Sequence, residues 1–194
     1  MLKEQINILE SLLEQKVSEK RIKWYENYKT IQGATEDELS KLEEKYSIVL
    51  PETFKEFYKY KNGSGYHFHI LYPNCEGEHI EPFYLFSIDE IIEEKDSYYN
   101  EDEPMSDYYD ENEISDLDMR IKPYLKNRKW IPFAALAGGS LNLLLDYDPT
   151  SDGKKGQIVS YIHDPDFVYY IAEDFKEMLE KSNVNLSNWD KIDY

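Results

Sequence analysis

Three of the four histidines and the only cysteine fall within thirteen residues, as His67, His69, Cys75 and His79. On a strand, His67 and His69 share a face, as a two-histidine metal site requires. A turn at Pro73-Asn74 could fold Cys75 and His79 back towards them. Zinc sites usually carry paired CxxC or HxxxH spacing, however, and neither is present. The better reading is a half-exposed strand from Tyr66 to Tyr72, with no metal and no cofactor. A metal-dependent enzyme built on His67, His69 and His79 is the remote alternative.

Other catalytic patterns are missing: there is no GxSxG, no phosphate-cradling glycine loop, no HExxH and no CxxC. Gly63-Ser64-Gly65 is too short for a nucleophile elbow and reads as a turn between a helix and a strand. Asp148-Pro149-Thr150-Ser151-Asp152-Gly153 resembles the start of a calcium loop, but position twelve is Val159 instead of a bidentate glutamate, so a polar hairpin connection is expected. No enzyme activity is expected.

Residues 93 to 118 stand apart from the rest of the chain. They hold twelve carboxylates against one cation, Lys95, a net -11 of the total -18. Tyr98, Tyr99, Tyr108 and Tyr109 are interleaved among the acids. Charge with little aliphatic content fits a solvated, disordered insertion. Tyrosines within charge of one sign fit equally an interface for a basic, groove-like partner surface. The second reading is favoured, with Tyr98, Tyr99, Asp102, Glu103, Asp107, Tyr108, Tyr109, Asp110 and Glu111 as the candidate partner-binding residues.

The bulk composition agrees with a binding role. With 41% hydrophobic and 15% aromatic residues the chain folds, and with 32% charged residues it is heavily solvated. A charge of -18 repels nucleic acid and anionic membranes and attracts basic partners. No apolar run approaches the ~20 residues of a membrane span. Met1 to Gln5 has an early acid and no apolar signal core, so no export signal is expected. A single cysteine suits a reducing cytoplasm.

The elements that must position these residues form an α+β pattern. Leu2, Ile6, Leu9, Leu13 and Val17 recur at helical spacing, predicting one amphipathic helix over residues 2 to 29. Thr35-Glu36-Asp37-Glu38 has the form of a capping box opening a second helix. Pro51 suits the first turn of a third, closed by Asn62-Gly63. Phe83 to Phe86 reads as a strand, followed by a short helix from Ser87 to about Glu94. Strands are expected at 130 to 135, 141 to 147 and 157 to 163, with Phe167 to Tyr170 as a possible extension of the sheet. Ile171 to Lys181 reads as the closing helix and 183 to 194 as a loosely held tail. The expected organisation is an N-terminal helix at 1 to 30, a domain at 31 to 182 carrying the acidic insertion, and the tail.

The order of motifs resembles the SUKH superfamily, in its Smi/Knr-type branch named from fungal cell-wall-assembly regulators. The resemblance is carried by Gly33-Ala34-Thr35 with Glu38, Leu42 and Glu43, by Leu50-Pro51-Glu52-Thr53-Phe54-Lys55-Glu56-Phe57 and by Asn62-Gly63. It continues through Trp130-Ile131-Pro132-Phe133-Ala134, Gly138-Gly139, Leu143-Leu144-Leu145-Asp146 and Gly156-Gln157-Ile158-Val159. Ile171-Ala172-Glu173-Asp174-Phe175 with Leu179 completes it. Two departures are Ser140, where an acid or amide is usual, and Asp174, where serine commonly precedes the phenylalanine.

The resemblance implies an antiparallel sheet flanked by N-terminal helices and a C-terminal helix. It also implies a non-enzymatic role: in bacteria, immunity proteins that neutralise toxins, often nucleases; in fungi, scaffolds of cell-wall synthesis and signalling. The leading expectation is a cytoplasmic immunity protein occluding the basic active face of a toxin domain, with neither nucleic acid nor membrane as a partner. The alternative is a scaffold or regulator with several protein partners.

Overall fold

Four stretches rich in aliphatic and aromatic residues organise the chain into an antiparallel meander. In the computed structural model, which describes residues 1–76, 79–136 and 138–193, these stretches are β6 (Trp130–Ala135), β7 (Leu141–Asp146), β8 (Gln157–Ile162) and β9 (Phe167–Ala172). With β3 (Tyr84–Leu85) they form a five-stranded sheet in the order β3-β6-β7-β8-β9, every pairing antiparallel. All residues of β6, β7 and β8 are buried, so both faces of the sheet are covered. That is why these strands read as nearly continuous apolar runs instead of alternating ones.

Helices cover the first face. They are α1 (Leu2–Lys16), α2 (Ile22–Thr30), α3 (Glu36–Tyr46), α4 (Glu52–Tyr60), α5 (Ile88–Tyr98) and α7 (Phe175–Asn188); α6 (Glu111–Ile114) lies in the acidic segment. Phe54 and Phe57 of α4, Phe133 of β6 and Phe175 of α7 meet ring to ring, with centroids 5.1 to 5.8 Å apart. Ile131, Leu143, Leu145 and Ile158 supply the sheet side of this core. Thr35 and Glu38 form the expected capping box of α3, and Ser87 with Glu90 forms that of α5. Gly33 is required by close approach: a Cβ there would lie 1.8 Å from the Lys59 carbonyl oxygen.

Two short hairpins complete the fold, β1 (Asn74–Glu76) with β2 (His79–Ile80), and β4 (Glu103–Pro104) with β5 (Tyr124–Lys126). Among the described residues no helix is long and apolar enough to cross a membrane.

Several boundaries differ from the sequence expectation. The stretch 2 to 29 is two helices, because Val17 turns extended and forms a parallel bridge with Ile192. Ser18 N–H donates to the Ile192 carbonyl at 3.2 Å, and Ile192 N–H donates to that of Lys16 at 2.9 Å. The same contacts hold the C-terminal stretch: Asn183, Leu186 and Ile192 are buried, and Lys16 Nζ donates to the Trp189 carbonyl.

Residues 66 to 72 are not a strand. Gly65 has φ +79°, Phe68 N–H closes a turn on its carbonyl, and only Leu71 bridges to Phe83. Ile171 and Ala172 belong to β9, and α7 starts at Phe175 with Asp174 as N-cap, its carboxylate accepting from Glu177 N–H at 2.9 Å. Aspartate caps as well as the serine usual at this position, so that departure leaves the helix start intact.

Candidate functional site

The histidine and cysteine side chains point to different surroundings. His67 is exposed and lies on Trp24 with ring centroids 4.3 Å apart. His69 is buried. His79 is exposed, with a ring nitrogen 2.7 Å from a Glu81 carboxylate oxygen, and Cys75 is buried with Sγ 3.5 Å from the His79 carbonyl oxygen. Among the described residues no three His, Cys, Asp or Glu are placed to hold a metal ion. Ser64 of the Gly-Ser-Gly turn is buried, donating to the Phe68 carbonyl and accepting from Leu85 N–H. Asp148 is engaged by Lys122, Lys129 and Asn127 at 2.8, 3.3 and 3.2 Å.

From Tyr99 onward the acidic segment is ordered structure lying on the second face of the sheet, while its first residues end α5. Trp130, Leu144, Val159, Tyr161 and Val168 project to that face and pack with Tyr99 and Ile121 into a small separate core. Tyr99 is only 1% exposed and donates from its hydroxyl to Asn142 Oδ1 at 3.1 Å. It anchors the segment, so it cannot present its ring to a partner as the sequence reading expected. Met105 is also fully buried. Beside this core, Asp146 is buried and accepts from Trp130 Nε1, Gln157 Nε2 and Asp148 N–H, at 2.9, 2.9 and 2.8 Å.

Charge fixes the rim of the segment. Four of its acids pair with cations from other parts of the chain. Asp96 meets Lys45 at 2.6 Å, Asp102 meets Arg128 at 2.7 Å, Glu103 meets Lys126 at 2.9 Å and Asp118 meets Arg120 at 2.6 Å. Each partner's hydrogen bond holds its carboxyl below the usual range. Lys95, the segment's own cation, is buried with Nζ donating to the Tyr99 carbonyl, and burial lowers its pKa to about 8. It makes no direct ion pair among the described residues, and its charge acts on Asp96 and Asp102 only through space.

Beyond this rim, Asp107, Asp110, Glu111, Glu113 and Asp116 are all exposed and make no ion pair among the described residues. Asp110 caps α6, accepting from the N–H groups of Asn112 and Glu113. Tyr98 and Tyr108 are 60% and 63% exposed. Tyr109 is half-buried, its hydroxyl bonded to the Asp166 carbonyl and its ring edge against Phe167. Of the nine candidate residues, Tyr98, Asp107, Tyr108, Asp110 and Glu111 therefore face solvent, while Asp102 and Glu103 are half-buried clamps.

The sequence reading missed Glu94, Tyr161, His163 and Asp166, which border the same surface. Alternation along β8 was the available signal for Tyr161, since it shares a face with Val159.

The chain matches no curated protein. Residues 33–181 match the model of the SMI1 / KNR4 family (SUKH-1), and this span contains the sheet, α3 to α6 and the start of α7. The antiparallel sheet with flanking helices and the ordered motifs from Gly33 to Leu179 thus lead to one statement: the chain belongs to the SMI1 / KNR4 family (SUKH-1).

Proposed function

We propose that this chain is an immunity protein that neutralises a cognate bacterial toxin, a nuclease, by covering its basic active face. The observation that carries the reading is the stretch from Asp107 to Asp116. Five exposed carboxylates there have no internal cation, and Tyr98 and Tyr108 are exposed on the same segment. A nuclease presents cations spaced for a polyanion, and fixed carboxylates of the opposite sign both steer and register such a partner. The buried anchor at Tyr99 and the four clamps support this reading, because a surface held in place loses less freedom on binding.

The test is co-expression with a candidate nuclease toxin domain, together with association kinetics at increasing salt. Association is expected to slow steeply with ionic strength, because steering between opposite charges is screened. A triple variant, Asp107→Asn, Glu111→Gln and Asp116→Asn, keeps Asp110 and Glu113, which cap α6. It is expected to associate about tenfold more slowly and to protect less well. A salt-independent rate, or full protection by the triple variant, removes this surface from the mechanism. Failure of the folded protein to protect favours the scaffold reading.

A further inference from the structure

A cleft of about 400 Å³ opens where α5, the Gly138-Gly139 turn and the β8–β9 hairpin meet. Three carboxylates border it, and they differ in what answers them. Glu103 is ion-paired with Lys126 at 2.9 Å. Asp166 accepts from the Tyr161 hydroxyl at 2.6 Å and lies 2.7 Å from His163 Nδ1.

Among the described residues Glu94 meets the side-chain amide of Asn142, at 3.4 Å, and makes no ion pair. The charge that bears on it is Glu93, of the same sign, and burial raises its pKa. A partly desolvated carboxylate without a counter-charge is costly, and an entering cation relieves that cost. Tyr98, 60% exposed, and Tyr161 line the same space, and a planar cation gains by lying against such rings. A guanidinium satisfies both demands, since it bonds a carboxylate through two N–H groups and stacks on aromatic faces, whereas an ammonium does neither as well.

We propose that this cleft receives the guanidinium of an arginine side chain from the partner, with Glu94 as its carboxylate and Tyr98 as its stacking wall. The inference deepens the immunity reading and rests on it for the origin of the arginine. The cleft's preference for a guanidinium can be tested without any toxin.

The probe is Nα-acetyl-arginine methylamide, titrated into isotopically labelled protein and followed by amide chemical shifts. The matching citrulline and lysine compounds serve as comparisons. Saturable shifts are expected at residues 94 to 99 and 161 to 163, with arginine binding about tenfold more tightly than neutral citrulline. Glu94→Gln is expected to weaken arginine about tenfold. Tyr98→Ala, a change at an exposed ring that leaves the fold intact, is expected to weaken it about threefold.

Shifts that never saturate, shifts spread over 107 to 116, equal binding of citrulline, or an unchanged Glu94→Gln each overturn the site. Lysine binding as tightly as arginine overturns the assignment of a guanidinium. Loss of protection in the triple variant at 107 to 116 is independent of all these outcomes, so the two readings fail separately.

Discussion

The two faces of the sheet are covered by different chemistry. On the helical face Phe54, Phe57, Phe133 and Phe175 pack ring on ring with aliphatic strand residues. On the other face the large side chains are Tyr99, Trp130 and Tyr161, and each bonds a polar partner through its tip: Asn142, Asp146 and Asp166. Apolar packing is non-directional and supplies stability. Aromatic rings with polar tips also fix where a layer sits, because a misplaced tip leaves a buried donor unsatisfied. The first face holds the fold together, and the second holds a charged surface in a set position.

The sharpest way to break this comparison is to remove one buried side chain from each face. Phe175→Ala opens a cavity among Phe54, Phe57 and Phe133 and is expected to cost about 3–5 kcal/mol. Urea unfolding in a Trp24→Phe, Trp189→Phe background, which leaves Trp130 on the opposite face as the one fluorophore of its kind, should show one shifted transition, with its fluorescence moving together with circular dichroism. Separate transitions would mean that the two layers are independent units.

On the second face, Asp146→Ala strands three buried donors and is expected to cost about 2–3 kcal/mol. Asp146→Asn keeps the shape and one acceptor, so it should cost about 1 kcal/mol or less. Equal losses for the two substitutions would show that the charge itself, and not the hydrogen bonds, is what the site needs.

The first face was legible in the sequence far more fully than the second. Thr35 and Ser87 announce their helices because a capping box is local, with both partners within three residues. Strands β6 to β8 are legible because apolar runs bounded by turn residues are local too. Three of the four clamps are not local: Asp102 finds Arg128, Glu103 finds Lys126 and Asp96 finds Lys45, and a charge count over 93 to 118 sees none of these cations. Tyr99 looked like an exposed anchor for the same reason, since its burial depends on strand residues more than thirty positions away. The break at Val17 depends on Ile192 at the other end of the chain, so helical periodicity ran straight through it.

The finest distinction lies within the second face, between its rim and its buried acid, in their response to acid. Arg128 and Arg120 stay protonated, so only Asp102 and Asp118 titrate in their pairs, and both have carboxyl pKa values lowered mainly by hydrogen bonds from these arginines. A lowered folded pKa contributes stability that is complete above the unfolded value of ~3.9 and disappears as pH falls through the folded value. These pairs are partly exposed, so each contributes about 0.2–1 kcal/mol.

Asp146 runs the other way: burial is the largest influence and raises its pKa, so its ionised form is disfavoured in the folded state and acid relieves it. Asp102→Asn should therefore be less stable than the parent at pH 7, and the gap should close as pH falls through the lowered carboxyl pKa of the folded state. For Asp146→Asn, the parent should gain on the variant over the same descent. Denaturant midpoints at a series of pH values read both gaps directly. A gap for Asp102→Asn that widens in acid would mean that the clamp holds through shape and not through charge.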